Sequence, residues 1–459
     1  MIKNRTAIVA LLTGLNFLNY LDRFIVAAVL PRIQAELQLD NFEGGLLATV
    51  FLLGYFVTSP LFGKLGDRVS RKRLITFGVL CWSLATVASG LASNLAMLIV
   101  ARVFVGVGEA SYATLAPTII DDISPPEKKG KMLAIFFLAT PVGSALGYLL
   151  GGFIQSHWGW RAAFYVGGGP GIALALLCLL IHEPVRTHLS DAKTKLSETL
   201  ARLFRIPLYR RAVLGYCAHT AAIGAFAFWA PTFLAHRFFT DLAQPVPVQT
   251  VADSVIAFAR PWWPDWNLAA YLHDLANTGV LKSANFWFGL TTVVAGALGT
   301  VVGGRMADRA IRGLPAIPPG ADHTHGSNLL AANAQLRVCA IGVAIAFPMT
   351  AFAFFVPKAW MFFAIAGVAE VGLFLSTAPI NAILLRTAPV FMRASAMAAA
   401  IFAIHLLGDL WSPSLVGLFL DYLPITLGMM ALPLGFAIAT MVWWPRAREA
   451  RGQSPSSNT

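Results

Sequence analysis

Four charged side chains lie in stretches of the sequence that are otherwise apolar: Asp22, Arg23, Arg102 and Glu109. Arg102 and Glu109 are two helical turns apart, so one helix would carry both on the same face, about 10 Å apart in height. Asp22 and Arg23 are adjacent and diverge by about 100° on a helix, so their partners are expected on another helix. Burial favours the neutral form of a carboxylic acid, whereas a nearby arginine favours the charged form. When such a pair separates and forms again, its carboxylate could therefore bind and release a proton.

Helix geometry predicts which of these residues pair. At about 1.5 Å per residue, Asp22 would lie about 13 Å below the outer end of its helix, Arg102 about 10 Å and Glu109 about 20 Å. The expected cross-helix pairs are therefore Asp22 with Arg102 and Arg23 with Glu109. Two interpretations stay open: a static salt-bridge network that fixes helix packing, and a carboxylate that exchanges its arginine for a proton. Charges inside membrane spans are costly and usually functional, which favours the second interpretation.

A few other polar residues interrupt apolar stretches. Glu370 is a lone charge, for which a cavity-facing site is favoured over an acid that only packs helices. His405 and Asp409 lie together near the end of the chain, and His219 is interpreted as a structural histidine. Small-residue stripes let helices approach closely, so a packing role in a moving interface is favoured over substrate contact for one glycine series. That series is Gly143, Gly147 and Gly151.

The elements that must position these residues follow from composition. The chain has 459 residues, of which 57% are hydrophobic and only 12% charged. An ordinary soluble protein carries about 25% charged residues, so the bilayer is the expected solvent and partner. Intrinsic disorder, a disulfide-stapled secreted fold and a soluble nucleic-acid binder are excluded by the same figures, and no nucleic-acid partner is expected.

A helix needs about 20 apolar residues to span the hydrocarbon core, and the chain offers twelve such stretches. The predicted fold is therefore an all-α membrane protein with twelve transmembrane helices in two pseudo-symmetric six-helix bundles. The twelve stretches lie near residues 7–30, 43–62, 74–92, 95–119, 132–155, 161–182, 210–236, 285–303, 337–356, 359–379, 394–420 and 424–444.

The distribution of positive charge predicts the orientation in the membrane. About 26 of the 34 Lys and Arg residues fall at the two termini and in the segments on one side of the predicted spans. By the positive-inside rule this side is cytoplasmic, so both termini are expected in the cytoplasm and the protein in the plasma (inner) membrane.

A repeat supports a division into six and six helices. Gly63-Lys64-Leu65-Gly66-Asp67-Arg68 follows the second span, and Gly304-Arg305-Met306-Ala307-Asp308-Arg309 follows the eighth. An aspartate at such a helix end can hold a helix N-terminus through its dipole, which predicts conformational gating over simple loop capping. The predicted domains are an N-terminal bundle 1–183, a cytoplasmic linker 184–209, a C-terminal bundle 210–445 with a long extracytoplasmic loop 237–284, and a cytoplasmic tail 446–459.

Two loops carry further polar or aromatic residues. The run from Pro261 to Trp266 in the loop 237–284 is typical of an interfacial or capping element, with substrate access as the alternative. The segment 312–336 is interpreted as a solvated linker, because His323 and His325 in a flexible polar loop are weak evidence for metal binding. No metal site is therefore predicted.

Several of these motifs resemble the major facilitator superfamily. The match includes Gly63-x-x-x-Asp67-Arg68-x-x-Arg71 with its repeat Gly304-x-x-x-Asp308-Arg309, the run from Arg102 to Gly108, and, loosely, the glycines of the fifth span. The resemblance implies gating by these loop residues and alternating access by two rocking bundles. Its gating residues are Gly63, Asp67, Arg68, Arg71, Asp308 and Arg309.

Two further runs resemble Spinster-type transporters. They are Asn19-Tyr20-Leu21-Asp22-Arg23, which organic-anion symporters share, and His405-Leu406-Leu407-Gly408-Asp409-x-x-Ser412-Pro413. The resemblance implies transport of lysolipids or sphingosine-1-phosphate. It also implies that Asp22, Arg23, Arg102 and Glu109 form a proton-linked centre.

The sequence therefore predicts a proton-coupled secondary transporter for an amphipathic lipid, with small organic anions as the alternative substrate. An anionic head group would meet Arg23 or Arg102. The spans contain no His/Asp metal cluster, G-x-S-x-G nucleophile or Walker sequence, so neither an enzyme nor an ATP-driven pump is expected. Protons are the expected coupling ion, no other cofactor is expected, and the expected oligomeric state is a monomer.

Overall fold

The computed structural model describes residues 2, 4–66, 68–124, 129–183, 196–238, 284–315, 326–389 and 393–444. Within these ranges the chain is almost entirely helical, and a single β-bridge joins Ile2 to Ile181. The all-α prediction is confirmed. The α-helices are α1 Arg5–Leu37, α2 Asn41–Gly66, α3 Arg71–Gly90, α4 Leu95–Ile123, α5 Lys129–Trp158, α6 Trp160–Cys178, α7 Leu196–Arg205, α8 Pro207–Phe238, α9 Ala284–Ile311, α10 Gly326–Ala353, α11 Ala359–Phe374, α12 Thr377–Arg386, α13 Arg393–Ile404, α14 Ser412–Tyr422, α15 Ile425–Gly428 and α16 Ala431–Trp443.

Twelve of the described helical segments are long and apolar enough to cross a membrane, as the hydropathy pattern predicts. Most helices extend beyond the predicted apolar stretch, because polar residues at a helix end can still continue the backbone hydrogen bonds. α1 begins where the Asn4 side chain accepts a hydrogen bond from the Thr6 amide at 2.9 Å. It ends at Gln38, which adopts a left-handed conformation with φ 55°.

The predicted linker 312–336 differs from the structure in its second half. α10 begins at Gly326 rather than near residue 337, and its first turns bury Asn333 and Gln335. These polar side chains face the protein interior, which a search for apolar runs cannot detect. Asp67, the 261–266 aromatic run, His323 and His325 lie outside the described residues, as do residues 184–195 of the predicted linker and the tail 446–459.

Two of the later spans are interrupted. α11 and α12 together form one span that breaks at Leu375 and Ser376. In the next span the residues His405–Asp409 form a π-helix, in which the Leu410 amide donates to the His405 carbonyl at 3.0 Å. Single π-turns inside α-helices are rare and often mark functional sites.

The chain divides into two compact units, Met1–Thr187 with Ala227–Val293 and His188–Phe226 with Val294–Thr459. In the first unit α1 packs on α5, α4 packs between α2 and α3, and α3 packs on α6. In the second unit α10 packs on α11, α12 and α16 around a buried apolar core that includes Leu336, Val343 and Phe436.

Glycines set how closely α4 approaches its neighbours. A Cβ built on Gly106 would collide with the backbone carbonyl of Phe51 on α2. A Cβ built on Gly54 would lie 2.5 Å from the Val103 carbonyl oxygen on α4. These two helices are therefore in backbone contact just where α4 carries Arg102.

We expect Gly106→Ala to destabilise the protein by about 1–3 kcal/mol, because the added methyl group forces α2 and α4 apart. The measurement is the free energy of unfolding of the purified protein in detergent micelles. Gly14→Ala in α1 is the control, since a Cβ there meets nothing within 4 Å. It should be neutral or stabilise the helix by up to about 1 kcal/mol. Equal effects of the two substitutions would contradict the close contact.

Candidate functional site

Arg23 and Glu109 form a direct ion pair in the first unit. The Nη2 atom of Arg23 lies 2.7 Å from Oε2 of Glu109. The Glu109 side chain is fully buried, whereas 23% of the Arg23 side chain is exposed. The helix register of α1 and α4 thus brings together one of the two predicted pairs. Its acid lies in the protein interior and its cation lies on the solvent-accessible side.

The other predicted pair, Asp22 with Arg102, is not in direct contact. Across the described chain, no carboxylate oxygen lies within the 4.0 Å of an ion pair from Arg102. Asp22 instead accepts a hydrogen bond from Thr86 on α3 at 2.5 Å, and its other oxygen faces Gly167 on α6. The reason is the divergence of adjacent helical residues. Arg23 points toward α2 and α4, whereas Asp22 points toward α3 and α6.

Aromatic rings line the space around the two arginines. The Arg23 guanidinium carbon lies 5.1 Å from the ring centre of Tyr20, 4.9 Å from that of Phe51 and 5.6 Å from that of Tyr55. The Arg102 guanidinium lies 4.7 Å from the same Phe51 ring. A cation over a desolvated aromatic face is attracted by the ring quadrupole. Sequence reasoning missed Phe51 and Tyr55 because an apolar span contains many such rings.

We refer to Asp22, Arg23, Arg102 and Glu109 as the charged cluster. Asp22, Arg23 and Arg102 each have a buried polar atom without a hydrogen-bond partner among the described residues, and Asn19 lies beside Glu109. Buried polar atoms are normally satisfied, so such a concentration of unsatisfied ones calls for an explanation. Chemically, the cluster can take a proton on a carboxylate or an anionic group on an arginine.

Arg71, one of the predicted gating residues of the first unit, belongs to a separate hydrogen-bond network. Arg71, at the start of α3, is buried and donates to Asp122 at 2.7 Å and to Thr118 at 3.1 Å. Its backbone amide donates to Glu183 at 2.7 Å, and the Ser70 hydroxyl donates to the same carboxylate. The carboxylate observed at this helix N-terminus is therefore Glu183, which the motif-based prediction missed.

The remaining gating residues take up varied positions. Gly63 lies on α2, where an added Cβ would be 3.8 Å from Thr114, and Arg68 is exposed just after the helix. In the second unit, Asp308 and Arg309 are exposed in the last turn of α9. For neither of these two side chains is there an ion pair or hydrogen bond within the described ranges.

The other candidate residues of the second unit lie in separate places. Glu370 is buried within α11. Nδ1 of His405 lies 3.0 and 3.1 Å from the two carboxylate oxygens of Asp409 inside the π-helix. Ser412 is buried one turn further, near Gly224 of α8.

The glycine series of α5 lies against α1. A Cβ on Gly143 would lie 2.5 Å from the Phe17 carbonyl oxygen, one on Gly147 2.6 Å from that of Leu21, and one on Gly151 2.8 Å from Cβ of Ala28. Small residues at these positions therefore allow α5 to pack on the backbone of the helix that carries Asp22 and Arg23.

Comparison with known proteins agrees with this architecture. The sequence model of the Major Facilitator Superfamily matches residues 12–413. Human Protein spinster homolog 1 is 34% identical over 431 residues, which cover 91% of this chain and 73% of that protein. Protein spinster of Drosophila melanogaster is 31% identical over 418 residues, but this chain spans only 61% of its length. The Arabidopsis thaliana protein named "Probable sphingolipid transporter spinster homolog 1" is 29% identical over 470 residues, 90% of this chain and 82% of that protein.

Solved structures show the same fold. The crystal structure of a bacterial homolog of the human lysosomal transporter Spinster, in an inward-facing and unoccupied conformation, matches 99% of this chain and 100% of its own with a TM-score of 0.72 at 20% identity. The homologues are transporters of the major facilitator and Spinster type, which are not enzymes. The chain therefore belongs to the major facilitator superfamily and, within it, is a transporter of the Spinster type.

Proposed function

We propose that this protein is a proton-coupled secondary transporter that works by alternating access and carries an amphipathic lipid with an anionic head group, such as a lysolipid or a sphingosine-phosphate-like molecule. The observation that carries the proposal is the Arg23–Glu109 ion pair at 2.7 Å. Its cation is partly exposed while its acid is fully buried. A substrate anion would therefore reach the arginine first.

Proton coupling follows from competition for Arg23. When a substrate anion binds Arg23, the buried Glu109 loses its compensating charge, and an uncompensated buried carboxylate is costly. Taking up a proton removes that cost. Because either ligand weakens the existing ion pair, proton and anion binding favour each other, which is the linkage that a symporter requires.

The lipid character of the substrate is supported by two observations. The rings of Tyr20, Phe51 and Tyr55 surround the Arg23 cation, so an anion at this site has apolar surface beside it. The name of the Arabidopsis relative refers to sphingolipids. Small organic anions remain the second candidate, because two guanidinium groups beside one ring would also bind a compact carboxylate.

We further propose that the transporter resides in the plasma (inner) membrane as a monomer with both termini in the cytoplasm. The support is the excess of Lys and Arg in the segments on one side of the spans. Protons are proposed as the coupling ion, without a resident cofactor.

The test is uptake of a fluorescent lysophosphatidylglycerol by liposomes that contain the purified protein. The lipid is added from outside, and albumin then extracts whatever remains in the outer leaflet. We expect a protected pool that grows when a pH gradient is imposed and falls when a protonophore collapses it. Empty liposomes control for spontaneous flipping of the lipid.

Two other results would revise the proposal. A protected lipid pool that ignores the pH gradient would exclude proton coupling but keep the lipid substrate. No protein-dependent lipid pool, together with gradient-driven uptake of a radiolabelled dicarboxylate, would exclude the lipid and favour small organic anions.

A further inference from the structure

Phe51 contacts both cations of the charged cluster. Its ring centre lies 4.9 Å from the Arg23 guanidinium carbon and 4.7 Å from that of Arg102. The residue is only 2% exposed, so its ring is shielded from water. A single buried ring is thus shared by two like charges, and its attraction for each cation offsets part of their mutual repulsion.

The backbone holds this ring in position. Gly106 lies directly against the carbonyl of Phe51, and Gly54 lies against that of Val103, so α2 and α4 touch at this level. The ring is therefore carried by a rigid crossing of two helices. Its place beside Arg102 does not depend on the Arg23–Glu109 ion pair.

Among the described residues, the charged and titratable groups around the ring belong to the same site. α1 contributes Asp22, Arg23 and Tyr20, α2 contributes Tyr55, and α4 contributes Arg102 and Glu109. Arg23 has one carboxylate partner in direct contact, and Arg102 has none within the described chain. If Glu109 takes up a proton, the Phe51 ring still contacts both guanidinium groups.

We infer that Phe51 is a positioning residue that keeps Arg23 and Arg102 in place while Glu109 is neutralised by a proton, ready to receive the anionic group of the substrate. This inference rests on the proposed proton coupling. A desolvated cation–π contact can change an equilibrium by a factor of roughly 10 to 30. Without the Phe51 ring, Arg23 would keep only the Tyr20 and Tyr55 rings beside ionised Glu109 and would depend more on that carboxylate, so protonation of Glu109 would require more acid.

The first test is the pH profile of lipid uptake by Phe51→Leu and Phe51→Tyr. Leucine fills much of the space but has no quadrupole, so the pH of half-maximal uptake should move about one unit toward acid. Tyrosine keeps the aromatic face and should restore the wild-type profile. A leucine variant with the same pH profile as the wild type and the tyrosine variant would overturn the inference.

The second test does not require transport. A double-mutant cycle compares Phe51→Leu in the wild type and in Glu109→Gln, with the unfolding equilibrium of the purified protein as the readout. We expect Phe51→Leu to raise the unfolding equilibrium constant by a factor about ten times larger in the Glu109→Gln background than in the wild type. In that background Arg23 has lost its charged partner. Phe136→Leu is the matched control, because Phe136 is equally buried and packs against Tyr112 and Phe137.

The two tests separate the inference from the proposed function. Equal costs of Phe51→Leu in both backgrounds would overturn the positioning role. Uptake by the wild type that ignores pH would instead remove the proton coupling. In that case a positive cycle would still assign Phe51 to holding the arginines, but for substrate binding alone.

Discussion

Replacing Glu109 by Gln should abolish lipid accumulation driven by a pH gradient while leaving gradient-independent exchange intact. Glutamine keeps the shape of the side chain and can still hydrogen-bond to Arg23, but it cannot exchange a proton. A gradient of two pH units stores about 2.7 kcal/mol per proton, enough to hold substrate at roughly 100-fold its outside concentration at one proton per substrate. An uncoupled variant should reach a ratio of about one. The measurement is the steady-state protected lipid pool, with and without the gradient.

The control for this prediction is Glu36→Gln. Glu36 lies near the end of α1, is exposed, and pairs with Arg161 and the Trp160 indole in the same unit. Glu36→Gln makes the same chemical change at a surface ion pair, where the expected loss of stability is below about 1 kcal/mol. If Glu109→Gln folds normally and still accumulates lipid against the gradient, then Glu109 is not the coupling residue.

Hydropathy and helix periodicity are sufficient to predict the spans and one half of the charged cluster. The depth of a residue in a span follows from counting residues, and the long Arg23 side chain spans the remaining difference in depth of about 8 Å to reach Glu109. The rotation of each helix does not follow from counting. Depth alone therefore pairs Asp22 with Arg102, whereas the Asp22 carboxylate accepts a hydrogen bond from Thr86.

Contacts between residues far apart in sequence are the hardest to predict. Glu183 meets the N-terminus of α3 across more than a hundred residues, and no pattern near Ser70 indicates it. Phe51 reaches the arginines only because glycines permit α2 and α4 to touch. The π-helix at His405–Asp409 depends on shifted backbone hydrogen bonds, which neither composition nor periodicity detects.

Alternating access predicts that one contact of the first unit must break during every transport cycle. Asn285 at the start of α9 donates a hydrogen bond to the Ala28 carbonyl of α1 at 3.2 Å and lies against Gly152 of α5. In the predicted organisation, α9 belongs to the second bundle and α1 and α5 to the first. If the two bundles rock, this end of α9 has to leave α1 and α5 whenever the site opens on that side.

A disulfide between Gly152→Cys and Asn285→Cys should therefore stop transport, and a reducing agent should restore it. A Cβ on Gly152 would lie 3.0 Å from Cβ of Asn285, so α5 and α9 need to separate by about 0.5 Å to reach the range of about 3.5–4.5 Å that a disulfide adopts. The background should carry Cys81→Ala, because the other three native cysteines are buried. Lipid uptake into liposomes, before and after reduction, measures the effect, which should approach complete loss in the oxidised protein.

The matched control places a disulfide within one bundle. Ala28→Cys with Gly151→Cys joins α1 to α5, and a Cβ on Gly151 would lie 2.8 Å from Cβ of Ala28. Two helices that move as one body tolerate such a link, so this protein should transport in both redox states. If both disulfides form and neither stops uptake, α9 stays on α1 and α5 throughout the cycle, and substrate must cross without separation of the two bundles at this end. If both stop uptake, α1 and α5 move against each other, and the glycine stripe between them is a sliding surface within the bundle.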